Sequence, residues 1–124
     1  MCRIVHLDDS NYYPLLFKKV IKDNKYLYFD KIDEMMDVIR ENDVVVLDFL
    51  LGSNEVRNGL DVAIEIKKRF GNLVKVIFFS AFLFKDSNHV KDIRKYSDGI
   101  INKGEINELS NLIEGLEKWK ILKT

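Results

Sequence analysis

At 124 residues the chain has the length of one ordinary domain and is short for two. Hydrophobic residues make up 47% and charged residues 32%, enough to bury a core and too apolar for a disordered chain. Twenty Lys and Arg balance twenty Asp and Glu, so charge gives no reason to expect DNA, RNA or an anionic membrane as the main ligand. The longest apolar stretch, Val44 to Leu51, is short and broken by Asp48, which argues against a bilayer-spanning segment. Met1-Cys2-Arg3-Ile4 leads straight into a strand-like run without the apolar core of a signal peptide. Cys2 is the single cysteine, which rules out an internal disulfide, and two histidines do not make a rich zinc site. The expectation is one small cytoplasmic domain.

In chain order, a strand is predicted at Arg3–Leu7. A helix follows, with Tyr13, Leu16, Phe17 and Val20 at i, i+3, i+4 and i+7. A second strand covers Tyr26–Phe29, and Ile32, Met35, Met36 and Ile39 repeat the helical spacing. The third strand runs Val44–Phe49, and a third helix is marked by Leu60, Ala63 and Ile64 and ends near Gly71. The fourth strand is Val74–Ser80, and a weaker helical pattern around Asn88–Tyr96 offers Val90, Ile93 and Tyr96 for burial. Gly99–Ile101 is the fifth strand, and Leu109, Leu112, Ile113 and Leu116 mark the last helix.

Strand and helix alternate five times, and strands three and four are almost wholly apolar. Such runs belong to a parallel sheet covered on both faces, whose strands need helical crossovers. With right-handed crossovers the common small solution is a three-layer, doubly wound α/β fold of order 2-1-3-4-5 with five helices. That order puts a cleft at the C-terminal ends of strands 1 and 3.

The sequence places acids at that cleft. Strand 1 ends in Asp8-Asp9, and Asp48 interrupts strand 3 after Val44-Val45-Val46-Leu47. Three converging carboxylates raise one another's pKa unless a cation neutralises them. Oxygen ligands with room for water suit Mg²⁺. Asp8, Asp9 and Ser10 also suit the N-terminus of the helix that follows. Asp48 has no such use, because a carboxylate closing a Val/Leu strand is expensive to bury. Ser80 ends strand 4 and Lys103 follows strand 5; read singly, they are a strand-end hydroxyl and a solvated lysine. Together the five residues share the edge at which doubly wound sheets bind ligands.

With these residues in place, the chain resembles a receiver domain of the two-component response regulators. The likeness runs from Ile4-Val5-His6-Leu7-Asp8-Asp9-Ser10 through Asn58-Gly59-Leu60-Asp61, Phe79-Ser80-Ala81 and Gly99-Ile100-Ile101-Asn102-Lys103 to the last helix. It implies a flavodoxin-like sheet and a single receiver over residues 1–124, with no output domain in this chain. It implies that Asp48 accepts a phosphoryl group from a sensor histidine kinase or a phosphotransfer protein. By the same resemblance, Asp9 and Asp48 hold Mg²⁺ (or Mn²⁺), Asp8 assists through water, and the backbone carbonyl of Leu50 is a further ligand. Lys103 and Ser80 meet the phosphoryl oxygens, and the helix 4–strand 5–helix 5 surface carries the signal to a downstream protein. That surface is also the expected homodimer face. Activity of this kind is self-phosphorylation and autodephosphorylation within a signalling domain, without direct binding to nucleic acid or membrane.

Four positions depart from the family pattern. Gly59 lies eleven positions beyond Asp48, a longer loop than usual that reads as a surface insertion. Gly104 stands where the family has a proline joined by a cis peptide; a cis bond to a non-proline residue costs about 2.5–4 kcal/mol, so a trans bond and an altered Lys103 approach are expected. Ile100 replaces the switching aromatic, leaving Phe82, Phe84 and Tyr96 as nearby rings. Leu50 and Phe82 offer no hydrogen bond to a hydrolytic water, so slow dephosphorylation is expected. His6 reads as a packed core histidine and His89 as exposed, while Trp119, Lys118, Lys120 and Lys123 close the last helix. The alternative is a degenerate receiver acting as a phosphorylation-independent interaction module. A flavodoxin fits poorly, lacking its phosphate loop after strand 1, as does a haloacid-dehalogenase-type phosphatase, given Leu50 two after Asp48.

Overall fold

The computed structural model describes residues 3–21, 25–52, 55–81 and 89–123, with the backbone alone at 89, 90 and 117–123. Five strands, β1 (Arg3–Leu7), β2 (Lys25–Phe29), β3 (Val44–Leu47), β4 (Lys75–Ser80) and β5 (Gly99–Asn102), pair in the order β2-β1-β3-β4-β5, parallel throughout. Between and after them run α1 (Tyr12–Val20), α2 (Ile32–Met36), α3 (Gly59–Phe70), α4 (His89–Lys95) and α5 (Asn107–Lys123). This is the fold class and strand order expected from the alternating periodicities.

The pleat sorts the apolar strand residues into two cores, because successive side chains point to opposite faces. Val5, Leu7, Val45, Leu47, Val76 and Phe78 face α2, α3 and α4, where Met35, Ile66 and Ile93 cover them. Ile4, Val44, Val46, Ile77, Phe79 and Ile101 face α1 and α5, where Phe17, Leu109 and Ile113 cover them. Every residue of β3 and β4 is buried, which is why those runs read as unbroken apolar segments. Pro14 is tolerated in α1 because it falls in the first turn, where its missing N–H has no helical partner to lose.

Several element ends differ from the sequence pattern. The α2 helix stops at Met36, although Ile39 is still buried. The carbonyl of Val38, which the next helical turn would use, instead accepts from Arg3 Nη2 at 2.6 Å. Asn42, at φ 75°, turns its N–H to the Leu73 carbonyl at 2.7 Å. The β3 strand ends at Leu47 and not at Phe49, since its partner β1 ends at Leu7. The Asp48 N–H still donates to the Leu7 carbonyl at 3.1 Å, and the Phe49 carbonyl is taken by the Gly59 N–H at 2.8 Å. Strand β4 begins one residue later than its apolar run, at Lys75, and β5 extends to Asn102. The expectations for Cys2, Phe82 and Phe84, and for the side chains of His89, Lys118, Trp119, Lys120 and Lys123, lie outside the described residues.

Candidate functional site

The acidic edge forms where β1 and β3, adjacent in the sheet, both end. Asp8 follows β1 and is fully buried; Asp48 follows β3 and is 6% exposed; Asp9 is exposed. One oxygen from each of the three carboxylates lies within 4.8 Å of the others. Ser80, at the end of β4, is buried and its side chain hydrogen-bonds Asp48. Lys103, just past β5, donates from Nζ to Asp48 Oδ2 at 2.7 Å and lies 3.1 Å from Asp8 Oδ2. The structure thus gathers all five side chains that the sequence places at this edge.

Local chemistry fixes each arm. Asp8 Oδ1 accepts the N–H of Ser10 at 3.0 Å, and Ser10 Oγ accepts the N–H of Tyr12 at 3.3 Å, so Asp8 does serve the turn into α1. Asp9 takes no capping role, since the cap position is Asn11 and its side chain makes no capping bond. From β2, the Tyr28 hydroxyl donates to the Asp8 carbonyl at 2.7 Å and pins the same turn. On the other side α3 starts with a capping box in which Asn58 Oδ1 accepts from the Asp61 N–H and Asp61 Oδ2 from the Asn58 N–H. Gly59 is needed there, because a Cβ would overlap the carbonyl oxygen of Asp48.

The electrostatics are unequal across the site. Burial pushes the Asp48 carboxyl above the usual carboxylate range; the Lys103 hydrogen bond and charge oppose this, and the Asp8 charge adds to it. Burial acts on Asp8 in the same sense, but His6, the Ser10 N–H and Lys103 outweigh it and hold Asp8 below its ordinary value. Burial opposes the charge on Lys103, and Asp48 and Asp8 more than compensate, so its pKa is raised. Asp8 and Asp48 thus share one ammonium, with the Asp9 carboxylate close by. Asp8 Oδ2 is buried with neighbours in reach but no hydrogen bond of good geometry. A buried carboxylate oxygen with an ion pair but no well-aligned hydrogen bond, beside two other hard oxygen donors, belongs to a donor set that fits Mg²⁺.

His6 was expected to be a packed histidine on the Asp8 face of β1, and it is. The ring is fully buried and stacks on Phe17 at 4.0 Å and 5°. His6 Nδ1 lies 2.7 Å from the Tyr26 hydroxyl, and Nε2 lies 3.5 Å from Asp8 Oδ2, at the outer limit of hydrogen bonding. Burial lowers its pKa in spite of Asp8. A neutral ring facing a carboxylate favours the proton on Nε2, with Nδ1 accepting from Tyr26.

The departures from the family pattern can be followed in the structure. The described residues contain no cis peptide, so the Lys103–Gly104 bond is trans as expected, and Gly104 makes no use of positive φ. Lys103 nonetheless reaches Asp48. Ile100 lies on β5 at 38% exposure, and the Leu50 side chain is 52% exposed. One site residue escaped the sequence reading: the Lys103 ammonium sits 4.3 Å from the centre of the Tyr13 ring. Its signal was a tyrosine in the first turn after the acidic pair, at a position that also fits the apolar face of α1.

No protein-family model and no curated protein matches the sequence. Among solved structures, the fold is that of response-regulator receiver domains. A response regulator of Thermotoga maritima, solved in complex with Mg²⁺ and BeF, is 24% identical, with 94% of this chain and 99% of that one aligned at a TM-score of 0.75. A receiver domain protein of Clostridium thermocellum is 22% identical over the full length of both chains, with a TM-score of 0.81. The BeF3-activated DrrB receiver domain is 19% identical over 95% of this chain and 98% of that one, at 0.80.

Proposed function

We propose that this chain is a phosphoacceptor receiver domain that takes a phosphoryl group onto Asp48 with Mg²⁺. The observation that carries the reading is the buried Asp48, hydrogen-bonded to Lys103 and Ser80, with oxygens of Asp8 and Asp9 within reach of one cation. Receiver domains solved with Mg²⁺ and BeF, or activated by BeF3, share the fold.

In this reading a carboxylate oxygen of Asp48 forms a bond to phosphorus as the P–N bond to a donor imidazole breaks. The bonding pair stays with the imidazole nitrogen, which takes up a proton, and Asp48 becomes an aspartyl phosphate. Lys103 is charged, holds Asp48 at rest and then turns to a phosphoryl oxygen, while the Ser80 hydroxyl donates to another. Asp9 and Asp48, the Leu50 carbonyl, and Asp8 through water are the groups that would hold Mg²⁺. The cation would neutralise charge on the transferring phosphoryl group in an otherwise acidic pocket. A sensor histidine kinase or a phosphotransfer protein is the donor, in the cytoplasm, and a downstream protein reads the α4–β5–α5 surface, which is also the candidate dimer face.

Beryllofluoride, which binds a carboxylate oxygen as a tetrahedral O–BeF3 unit and so stands in for the phosphoryl group, tests the pocket without a donor. Fluorine NMR with Mg²⁺ present should show saturable bound fluorides that disappear on chelating Mg²⁺ and in Asp48→Asn. No bound signal from the folded parent protein would overturn the reading and favour the phosphorylation-independent module.

A further inference from the structure

The Lys103 ammonium has three sides. One donates to Asp48 Oδ2 at 2.7 Å, one faces Asp8 Oδ2 at 3.1 Å, and the third faces the Tyr13 ring with 4.3 Å to its centre. The side chain of Lys103 is 10% exposed, so little water screens that third contact. The face of an aromatic ring carries negative electrostatic potential and attracts a desolvated cation at this range. The ring itself is held, because Tyr13 packs edge-on against Phe79 at 5.4 Å and 84°, and Phe79 is packed in turn against Phe17 at 5.2 Å.

The main chain of Lys103 is set by a single 3-10 turn, Lys103–Glu105, capped by Asn102, and its long side chain needs a separate support. Gly104 follows the lysine, and the one described hydrogen bond of the Gly104 N–H is to Asn102 Oδ1 at 2.9 Å. We infer that Tyr13 is the positioning residue for Lys103: its ring face holds the ammonium over Asp48 from the α1 side. A ring does this without adding a fourth carboxylate to a pocket that already holds three. Attraction across a ring face also varies gently with lateral position, so the ammonium can slide from Asp48 to a phosphoryl oxygen without losing the contact. The inference rests on the phosphoacceptor reading for its consequence and not for the contact itself.

The test compares the parent with Tyr13→Phe and Tyr13→Leu, each also in a Lys103→Met background. The first readout is the rate of phosphorylation by acetyl phosphate at saturating Mg²⁺. Tyr13→Leu should be about tenfold slower than the parent, Tyr13→Phe should stay within about twofold, and Tyr13→Leu should slow nothing further once Lys103 is Met. An equal slowing in both backgrounds, or none in either, would overturn the proposal. The second readout needs no phosphorylation. The ε-methylene protons of Lys103 should resonate upfield from the ring current of Tyr13, keep that shift in Tyr13→Phe and lose it in Tyr13→Leu. A parent that shows the shift but accepts no phosphate would sink the function and leave the positioning standing. Unshifted protons in the parent would sink the positioning.

Discussion

The two edges of the same sheet treat charge in opposite ways. At the N-terminal edge, Arg3 grips Asp43 with two hydrogen bonds, Nε to Oδ1 at 2.9 Å and Nη2 to Oδ2 at 2.7 Å, and the Arg40 N–H adds a third at 2.9 Å. Nearby, Asp98 Oδ2 accepts from Lys67 Nζ and from the Val76 N–H, both at 2.8 Å, with Lys75 Nζ 4.0 Å from the other oxygen. At the C-terminal edge, Asp8 and Asp48 share one ammonium with Asp9 close by, and buried Asp8 Oδ2 and His6 Nε2 lack hydrogen bonds of good geometry. Satisfied charge at the first edge ties strands and loops together. The excess of negative charge at the second is what a bound cation would offset, as the proposed function requires.

The largest effect should come from breaking the satisfied edge. Asp43→Ala leaves the Arg3 guanidinium without its carboxylate and the Arg40 N–H without its acceptor. Urea unfolding should show a loss of about 3 kcal/mol, while calorimetry on the folded protein should find Mg²⁺ affinity unchanged. A change in Mg²⁺ affinity without a loss of stability would dissolve the contrast between the edges.

The opposite sign is expected across the sheet. The folded-state pKa of Asp48 is raised, so its ionised form destabilises the fold, and this penalty is absent below the unfolded pKa and complete above the folded one. Asp48→Asn should therefore be more stable than the parent at neutral pH, with Asp8 still pairing Lys103, and the gap should close as the pH falls toward the ordinary carboxylate range. Thermal melts across pH without added metal would check this, and a less stable Asp48→Asn at neutral pH would contradict it.

The contrast between the edges was only half legible in the sequence. Strands β3 and β4 announced themselves because burial on both faces removes polar residues, and Asp48 stood out where β3 stops, as Asp8 and Asp9 did where β1 stops. The premature end of α2 was not legible, since it depends on Arg3 reaching the Val38 carbonyl across 35 positions of sequence. The clamp at Asp43 was missed for the same reason: a single acid before a strand does not name its partner. Tyr13 was read as part of the apolar face of α1, which it is. Helical spacing cannot tell that one face of its ring would meet an ammonium.

The smallest effect concerns how long the group stays on. The Leu50 side chain is exposed beside the pocket and has no polar atom to orient a water. The phosphorylated protein should persist well beyond seconds, and Leu50→Asn should shorten its lifetime by a few-fold, about 1 kcal/mol in barrier. Following the loss of phosphate after removal of the donor checks this, and an unchanged lifetime would locate the control elsewhere.

The acidic edge is proposed to accept a phosphoryl group at Asp48. Intact mass after incubation with acetyl phosphate tests it most directly, with and without Mg²⁺ and beside Asp48→Asn. A gain of one phosphoryl group that requires both Mg²⁺ and Asp48 is expected. A folded protein that gains nothing, or that gains the group equally without Asp48, would contradict it.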